Sequence, residues 1–382
     1  MKYTTKNYPL WRVKAQLSHF ETPEGISEYH VMLLPEAGKG DFSAQLDNLH
    51  KASEHLIASE WGNRAKVIFK RYFLSDITNQ ISILYRALEG ETPESYSAVQ
   101  QPPLDGSKVG LWLWLQTDMN ISKGEMTAAT HNGYSHLFSA SLQSPESDSE
   151  TETHTLLARY SQILHDRQCT LANNCIRTWF FVRDIDVNYG GVVEARREDF
   201  IKAGLTENTH YIASTGISGY PAAPKVNVLL DTYAVKGLES GQIQYLYAKE
   251  HLNPTYEYGV TFERGTAVTY GDRKHIFISG TASIDKHGEI VSPGDIVKQV
   301  HRTWENVEAL LKEAGSDFTD IAQIIVYLRD IADYHTVQPL FDRQFPNVPK
   351  IIVLAPVCRP GWLIEMECIA VKRENNPKFR NL

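Results

Sequence analysis

The apolar positions of this chain change period in a fixed order, and the order recurs. In residues 274–372, KHIFISGTA reads as a strand and leads into the turn-rich DKHGEIVSPGD. A helix follows, with Asp295 as its N-cap and Val297, Val300, Trp304, Val307, Leu310 and Leu311 spaced to bury one face. Gly315 is placed to stop it. Next come the strand QIIVYLRDI, a short helix around Val337–Phe341, and the strands KIIVLAP and LIEMECIAV.

Residues 131–236 repeat that order. SHLFSAS precedes a helix carrying Leu156, Leu157, Tyr160, Ile163 and Leu164. RTWFFVRDI follows, then a helix over Val193–Ala203 and the strands around YIAST and VNVLLDTYAVK. Val182-Arg183-Asp184-Ile185 matches Leu328-Arg329-Asp330-Ile331, and Ala234-Val235-Lys236 matches Ala370-Val371-Lys372. A more diverged copy occupies residues 10–118, with Leu74-Ser75-Asp76-Ile77 in the place of the L-R-D-I element. A recurring element in a fixed place makes chance alternation of strands and helices a poor explanation. The expected fold is α+β, with repeated modules of mixed sheet and helices on one face. The expected divisions are 1–130 for the diverged module, 131–257 for the second module plus a linker, and 258–382 for the third. Gln143–Glu152 is polar and acidic and reads as a mobile loop. In the linker, QIQYLYA is able to pair as a strand.

Composition then narrows the function. The chain is 42 % hydrophobic and 22 % charged, enough apolar content for a core. No apolar run is long enough to cross a membrane, and the opening MKYTTKNYPLWRVKAQ lacks the apolar centre of a secretory signal, so a cytoplasmic location is expected. Cys169, Cys175, Cys358 and Cys368 lack metal-binding or disulfide spacing, which fits a reducing compartment. The net charge of −8 and the absence of a basic run argue against nucleic acid as a partner. No metal or organic cofactor is expected, since no Walker, Rossmann or zinc motif is present.

The last strand carries the most informative pattern. Side chains alternate between strand faces. Ile364, Met366, Cys368 and Ala370 form an apolar face suited to the helices. Leu363, Glu365, Glu367, Ile369 and Val371 share the other. A solvated face is the plain alternative for the two glutamates, but the apolar residues beside them imply cover. A covered carboxyl next to a second one keeps its proton more tightly, which suits a general acid. The second copy has Leu229 and Asp231 at these positions, and the first has no carboxylate pair.

Residues 258–372 resemble the Rid/YjgF family, through FISGTASID, the R-D-I strand end and the closing IEMECIAVK. Members of that family have a chorismate-mutase-like fold and assemble as trimers with clefts between subunits. The resemblance therefore implies that three copies in one chain form a covalent pseudo-trimer, and that the chain is a monomer if they do. Simple Rid enzymes hydrolyse imines and hold the substrate carboxylate with an arginine. Here Lys350 takes that place, a departure that puts imine deamination in doubt.

The chorismatase branch is more similar. Phe262-Glu263-Arg264-Gly265 resembles its F-x-R-[AG]. Ser279-Gly280-Thr281-Ala282-Ser283-Ile284 resembles its S-G-T-A-S-I. Cys358-Arg359-Pro360 with Leu363-Ile364-Glu365 resembles its C-R-P-x-x-L-[VI]-E, and Arg177-Thr178-Trp179 an R-x-W segment. This resemblance implies chorismate as the small-molecule substrate and pyruvate as one product, with Glu365 and Cys358 as catalytic residues. It implies substrate contacts by Arg264, Gly265, Arg359, Thr281, Ala282 and Arg177. Cys358 with Gly265 resembles the subtype that makes 3-hydroxybenzoate rather than a dihydrodiol. The alternatives are an imine or enamine deaminase and a non-catalytic ligand-binding protein of the same fold.

Overall fold

The computed structural model describes residues 1–22, 26–62, 64–91 and 95–382. Three six-stranded sheets follow one another along the chain. The first contains β1 (Lys2–Tyr8), β2 (Val13–Phe20), β3 (Glu28–Pro35), β4 (Ala65–Leu74), β5 (Ser97–Gln100) and β6 (Val109–Thr117), with helices α1 (Phe42–Glu60) and α2 (Ile77–Ala87). The second contains β7 (Asn120–Ser122), β8 (Thr127–His131), β9 (Tyr134–Leu142), β10 (Cys175–Val182), β11 (Ala213–Ser218) and β12 (Val228–Lys236), with α3 (Ser149–Asp166), the short α4 (Leu171–Asn174) and α5 (Ile185–Lys202). The third contains β13 (Ile243–Leu246), β14 (Gly265–Thr269), β15 (Arg273–Ala282), β16 (Ile321–Leu328), β17 (Lys350–Leu354) and β18 (Ile364–Arg373), with α6 (Ile296–Glu313) and α7 (Tyr334–Gln344).

The strand orders are β1-β2-β3-β6-β4-β5, β7-β8-β9-β12-β10-β11 and β13-β14-β15-β18-β16-β17, so all three modules share one topology. In each, the outermost pair after the second helix is parallel and the rest antiparallel. The second sheet begins at Asn120 and the third at Ile243, ahead of the expected divisions at 131 and 258. The opening strands are only three and four residues long, and their assignment depends on the sheet they join.

The same local chemistry builds each module. Asp41, Asp148 and Asp295 each cap the long helix by accepting the amide of Ala44 at 2.9 Å, Thr151 at 2.8 Å and Lys298 at 3.0 Å. Gly315, at φ +75°, ends α6 in the left-handed conformation.

Two local expectations change. The acidic segment expected as a loop enters α3 at Ser149. There Glu152 is buried and accepts the amides of Asn227 and Val228 at 2.8 and 2.7 Å. Helix α5 starts at Ile185 rather than Val193 and runs through Gly190 and Gly191. A Cβ on Gly191 would meet Ser149 Oγ at 2.5 Å, so the glycine permits close packing of α5 on α3.

The sheet faces turned away from the helices meet one another. Trp114 of β6, Tyr233 of β12 and Phe277 of β15 form one aromatic cluster, with ring centroids 5.2–6.1 Å apart. Each seam also buries an arginine–carboxylate pair. Arg71 Nη2 donates to Asp231 Oδ2 between the first and second sheets at 2.8 Å, and Arg177 Nη2 to Glu367 Oε2 between the second and third at 2.8 Å. Arg273 Nη1 donates to Glu28 Oε2 between the third and first at 3.3 Å. Among the described residues no helix is long and apolar enough to cross a membrane.

Arg71→Met removes one partner and leaves Asp231 buried. Apparent stability in a denaturant titration is expected to fall by about 3–5 kcal/mol. Adding Asp231→Leu is expected to restore most of the loss. Equal losses in the single and double variants would show that the pair does not hold that seam.

Candidate active site

A cavity of about 250 Å³ lies at the seam between the second and third modules. The chain places it there by stitching two loops of the third module onto β11. Glu263 N donates to Ile212 O at 3.0 Å, and Tyr211 N donates to Glu263 Oε1 at 2.7 Å, which fixes the loop before Arg264. Ser218 N donates to Pro356 O at 3.1 Å, which fixes the loop before Cys358. The wall of the cavity then includes Glu365, Cys358, Arg264, Arg359 and Ala282 from the third module, and Tyr189 and Arg196 from α5.

Glu365 sits on β18 opposite Ala282 of β15 and is 4 % exposed. The register of β15 shifts between Ile278 and Thr281, and Gly280 lies in that irregularity. A Cβ on Gly280 would overlap Glu365 Oε1, so only glycine leaves room for the carboxyl. Gly280 N donates to Thr215 Oγ1 at 2.9 Å.

Glu367, two residues on, faces away from the cavity into a set of donors. It accepts from Arg177 Nη2 at 2.8 Å, Trp179 Nε1 at 2.8 Å and Thr215 Oγ1 at 2.5 Å. Burial first, and then the charge of Glu367, push the Glu365 carboxyl from 4.5 up to about 8, against the opposing influence of Arg177 and Arg264. Glu365 is therefore a neutral acid near pH 7. Burial and the charge of Glu365 likewise push the Cys358 thiol up to about 12, so it stands there as a thiol rather than a thiolate.

The cations differ in how far they are committed. Arg264 is buried and donates to Asn253 O through Nε at 3.3 Å and Nη2 at 3.0 Å. Arg359 is exposed at the rim, with its guanidinium 5.4 Å from the Trp362 ring centroid. Arg196 is 1 % exposed, and its Nε and Nη2 have no hydrogen-bond partner among the described residues; Nη1 reaches Ser214 Oγ at only 3.4 Å. A buried guanidinium with open donors facing a cavity is a ready anion site.

Three residues expected at the site are not on the cavity wall. Arg177 is committed to Glu367 and Thr215 behind it. Thr281 is buried and donates to Ser279 O at 2.8 Å. A Cβ on Gly265 would meet Phe277 O at 3.0 Å and Leu246 Cδ1 at 3.1 Å, so that position borders strand packing. Lys350 lies in a different cleft and pairs with Asp342 at 3.1 Å. Arg196 was legible only as part of the charged run Arg196-Arg197-Glu198-Asp199, which resembles a solvated face. Its sequence signal is spacing: with Val192 and Phe200 it shares the buried stripe of α5. Among the described residues, no group of three or more His, Cys, Asp or Glu is placed to hold a metal.

The description Endoribonuclease L-PSP belongs to a family profile that matches residues 266–372. A RutC family protein of Pyrococcus abyssi is 39 % identical over 100 residues, which is 25 % of this chain and 78 % of that protein. The chain belongs to the RutC, or Rid/L-PSP, family. Another Rid relative, the human 2-iminobutanoate/2-iminopropanoate deaminase, is 33 % identical over 100 residues, covering 25 % of this chain and 72 % of its own. Both matches cover about one module. A crystal structure of a chorismatase aligns at TM-score 0.63 and 16 % identity, over 91 % of this chain and 100 % of that one. This Rid protein thus shares the fold of that chorismatase through all three modules.

The protonated state of Glu365 can be read by infrared spectroscopy. A carboxylic-acid C=O band is expected to persist through neutrality, disappear with a midpoint near about 8, and be absent from Glu365→Gln. Because the folded value lies above the unfolded one, the linked stability is full below about 4.5 and lost as pH rises through about 8. A midpoint in the ordinary carboxylate range would remove Glu365 as a neutral acid.

Proposed function

We propose that this protein is a chorismatase and that it converts chorismate to 3-hydroxybenzoate and pyruvate. The observation that carries the reading is a neutral carboxylic acid, Glu365, in a cavity that also presents Arg196, with Arg264 and Arg359 on the same wall. Chorismate has two carboxylates and an enolpyruvyl ether. The arginines suit the carboxylates, and the acid suits the ether.

The reaction begins when Glu365 gives its proton to the terminal methylene carbon of the enol ether, leaving an oxocarbenium ion. Positioned general acids contribute roughly 10²–10⁴-fold. The ring hydroxyl then adds to the cation within the same molecule, an intramolecular capture that needs no diffusing nucleophile. Two bonds of the resulting ketal then break: the one between the pyruvyl carbon and the original ether oxygen, which stays on the ring as the 3-hydroxyl, and the one between the ring and the former hydroxyl oxygen, which leaves as the keto oxygen of pyruvate. Loss of the proton from the ring carbon that bears the retained oxygen makes the ring aromatic, and the Glu365 carboxylate recovers a proton. No water is consumed on this route, whereas the dihydrodiol route takes one up. Cys358 lines the cavity as a neutral thiol, and its bulk near Glu365 favours the route without water. Gly265 acts on product choice only through the packing of β14 beneath the cavity.

Imine hydrolysis is the second reading, supported by identity to the human deaminase. Incubation with chorismate and assay of pyruvate, beside incubation with a 2-imino acid and assay of ammonia, separates the two.

Glu365→Gln keeps the shape of the side chain but has no proton to give to carbon. Its kcat on chorismate is expected to fall at least about 10²-fold, the lower end of what a general acid contributes. Arg196→Ala is expected to raise KM by an order of magnitude or more, since a charge-assisted contact is worth roughly 1.5–3 kcal/mol. Cys358→Ala is expected to move product toward the dihydrodiol, read by chromatography against standards. Pyruvate release undiminished in Glu365→Gln would refute the acid role, and an unchanged product ratio in Cys358→Ala would refute the role of the thiol.

A further inference from the structure

The pseudo-threefold arrangement produces a second cleft of the same construction between the third and first modules. There α7 and β17 stand where α5 and β11 stand at the candidate active site, and β2, β3 and β6 stand where β14, β15 and β18 stand. The cavity in this cleft measures about 480 Å³.

It lacks the acid. Leu74 pairs with Val109, Val182 with Val228 and Leu328 with Ile364, so Gly110, Leu229 and Glu365 are equivalent positions. Gly110 cannot gain a side chain without displacement, since a Cβ there would meet Ile351 Cδ1 at 2.6 Å.

What the cleft retains is a set of uncommitted polar groups over an apolar floor. Lys14 and Gln16 lie on the same face of β2. Gln16 is 5 % exposed and lines the cavity, yet its amide makes no hydrogen bond to any described residue. Its amide is therefore open to the cavity and able to serve a ligand. Lys14 and Arg12 also line the cavity and form no ion pair with a described residue. Lys350 completes the cationic side, but it is held by Asp342 at 3.1 Å and donates to Phe345 O at 3.0 Å. Of the carboxylates, Asp342 is neutralised by Lys350, and Asp105 accepts the Ser107 amide at 2.9 Å and hydroxyl at 2.7 Å. Glu36 remains, against two unpaired cations. Val13, Leu34, Ile351 and Ile352 supply apolar wall.

We propose that this cleft binds, without turning it over, a small molecule with an apolar body and one carboxylate, the carboxylate held by Lys14 and Gln16. The inference does not rest on the reaction assigned to the other cleft. It rests on the amide and cations open to the cavity and on the missing acid.

Fluorine NMR on the full chain tests it, with 3-fluorobenzoate as probe and 3-fluorobenzylamine as its cationic counterpart. A bound 3-fluorobenzoate population is expected that survives Arg196→Ala and is weakened at least about tenfold by Lys14→Glu. Lys14→Met and Gln16→Leu are expected to weaken it less, and chorismate turnover, where present, is expected to be unaffected by these cleft variants. The proposal is overturned if no 3-fluorobenzoate binds, or if all bound probe is lost with Arg196→Ala. It is equally overturned if binding is indifferent to Lys14 and Gln16, or if 3-fluorobenzylamine binds the cleft and 3-fluorobenzoate does not.

Discussion

The buried carboxylate of Glu367 is the interaction on which the candidate site depends. It lies at the seam of two modules and takes hydrogen bonds from Arg177 and Trp179 of β10 and from Thr215 of β11. Those donors hold β18 against the second sheet. They also fix a negative charge beside Glu365, and that charge is the second cause, after burial, of the tightly held proton. One interaction therefore both closes the seam and tunes the acid. A buried pair is weak grounds for net stability, because desolvation opposes the Coulombic gain, but losing one partner is severe. The arrangement makes fold and acidity hard to separate by mutation, which is why Gly280 matters. It shapes the space around the Glu365 carboxyl and meets the charged network only through its backbone amide on Thr215 Oγ1.

A repeated fold gives three equivalent clefts, and the sequence differs at a few positions in each. Gly110, Leu229 and Glu365 occupy one equivalent position, and Trp112, Asp231 and Glu367 the other. At the equivalent position between the first and second modules, Asp231 meets Arg71 and Leu229 lines a pocket of only about 20 Å³. Between the third and first, Gly110 leaves a cleft of about 480 Å³ with no acid. Only the third module sets a carboxyl pair on this face, so a buried acid of this kind is found at one seam.

Much of this was legible in the chain. The strand and helix order, the helix start at Asp295 and the alternation that aims Glu365 and Glu367 away from the helices all follow from local period and capping. The same pattern left open what covers that face. Cover comes from other modules, as with Trp179 and Arg177 against Glu367, and such contacts join residues far apart in sequence. Arg196 was hidden for the same reason: its charged neighbours suggest solvent, whereas the cavity it faces exists only once α5 and the third module meet. Gly265 and Thr281 belong to the motifs themselves, but strand alternation and packing keep them off the cavity wall. The first two turns of α5 lie outside the expected helix over Val193–Ala203, and Gly191 serves there in packing against α3, a contact that local pattern does not show.

The energetics suggest why one acid is kept and not three. Holding a carboxyl at about 8 rather than 4.5 means that folding at pH 7 must first protonate it, at a cost of roughly 3 kcal/mol. Net stability of a folded domain is about 5–15 kcal/mol, so one such group is tolerable and three would cancel much of the total. The glycine and leucine at the equivalent positions carry no such cost. Asymmetry among the modules is thus what a marginally stable repeat fold requires if it is to hold a reactive acid in a dry place. Duplication supplies the seams, and the sequence of one module confines the unfavourable burial of an acid to a single seam, the one with the cavity of about 250 Å³.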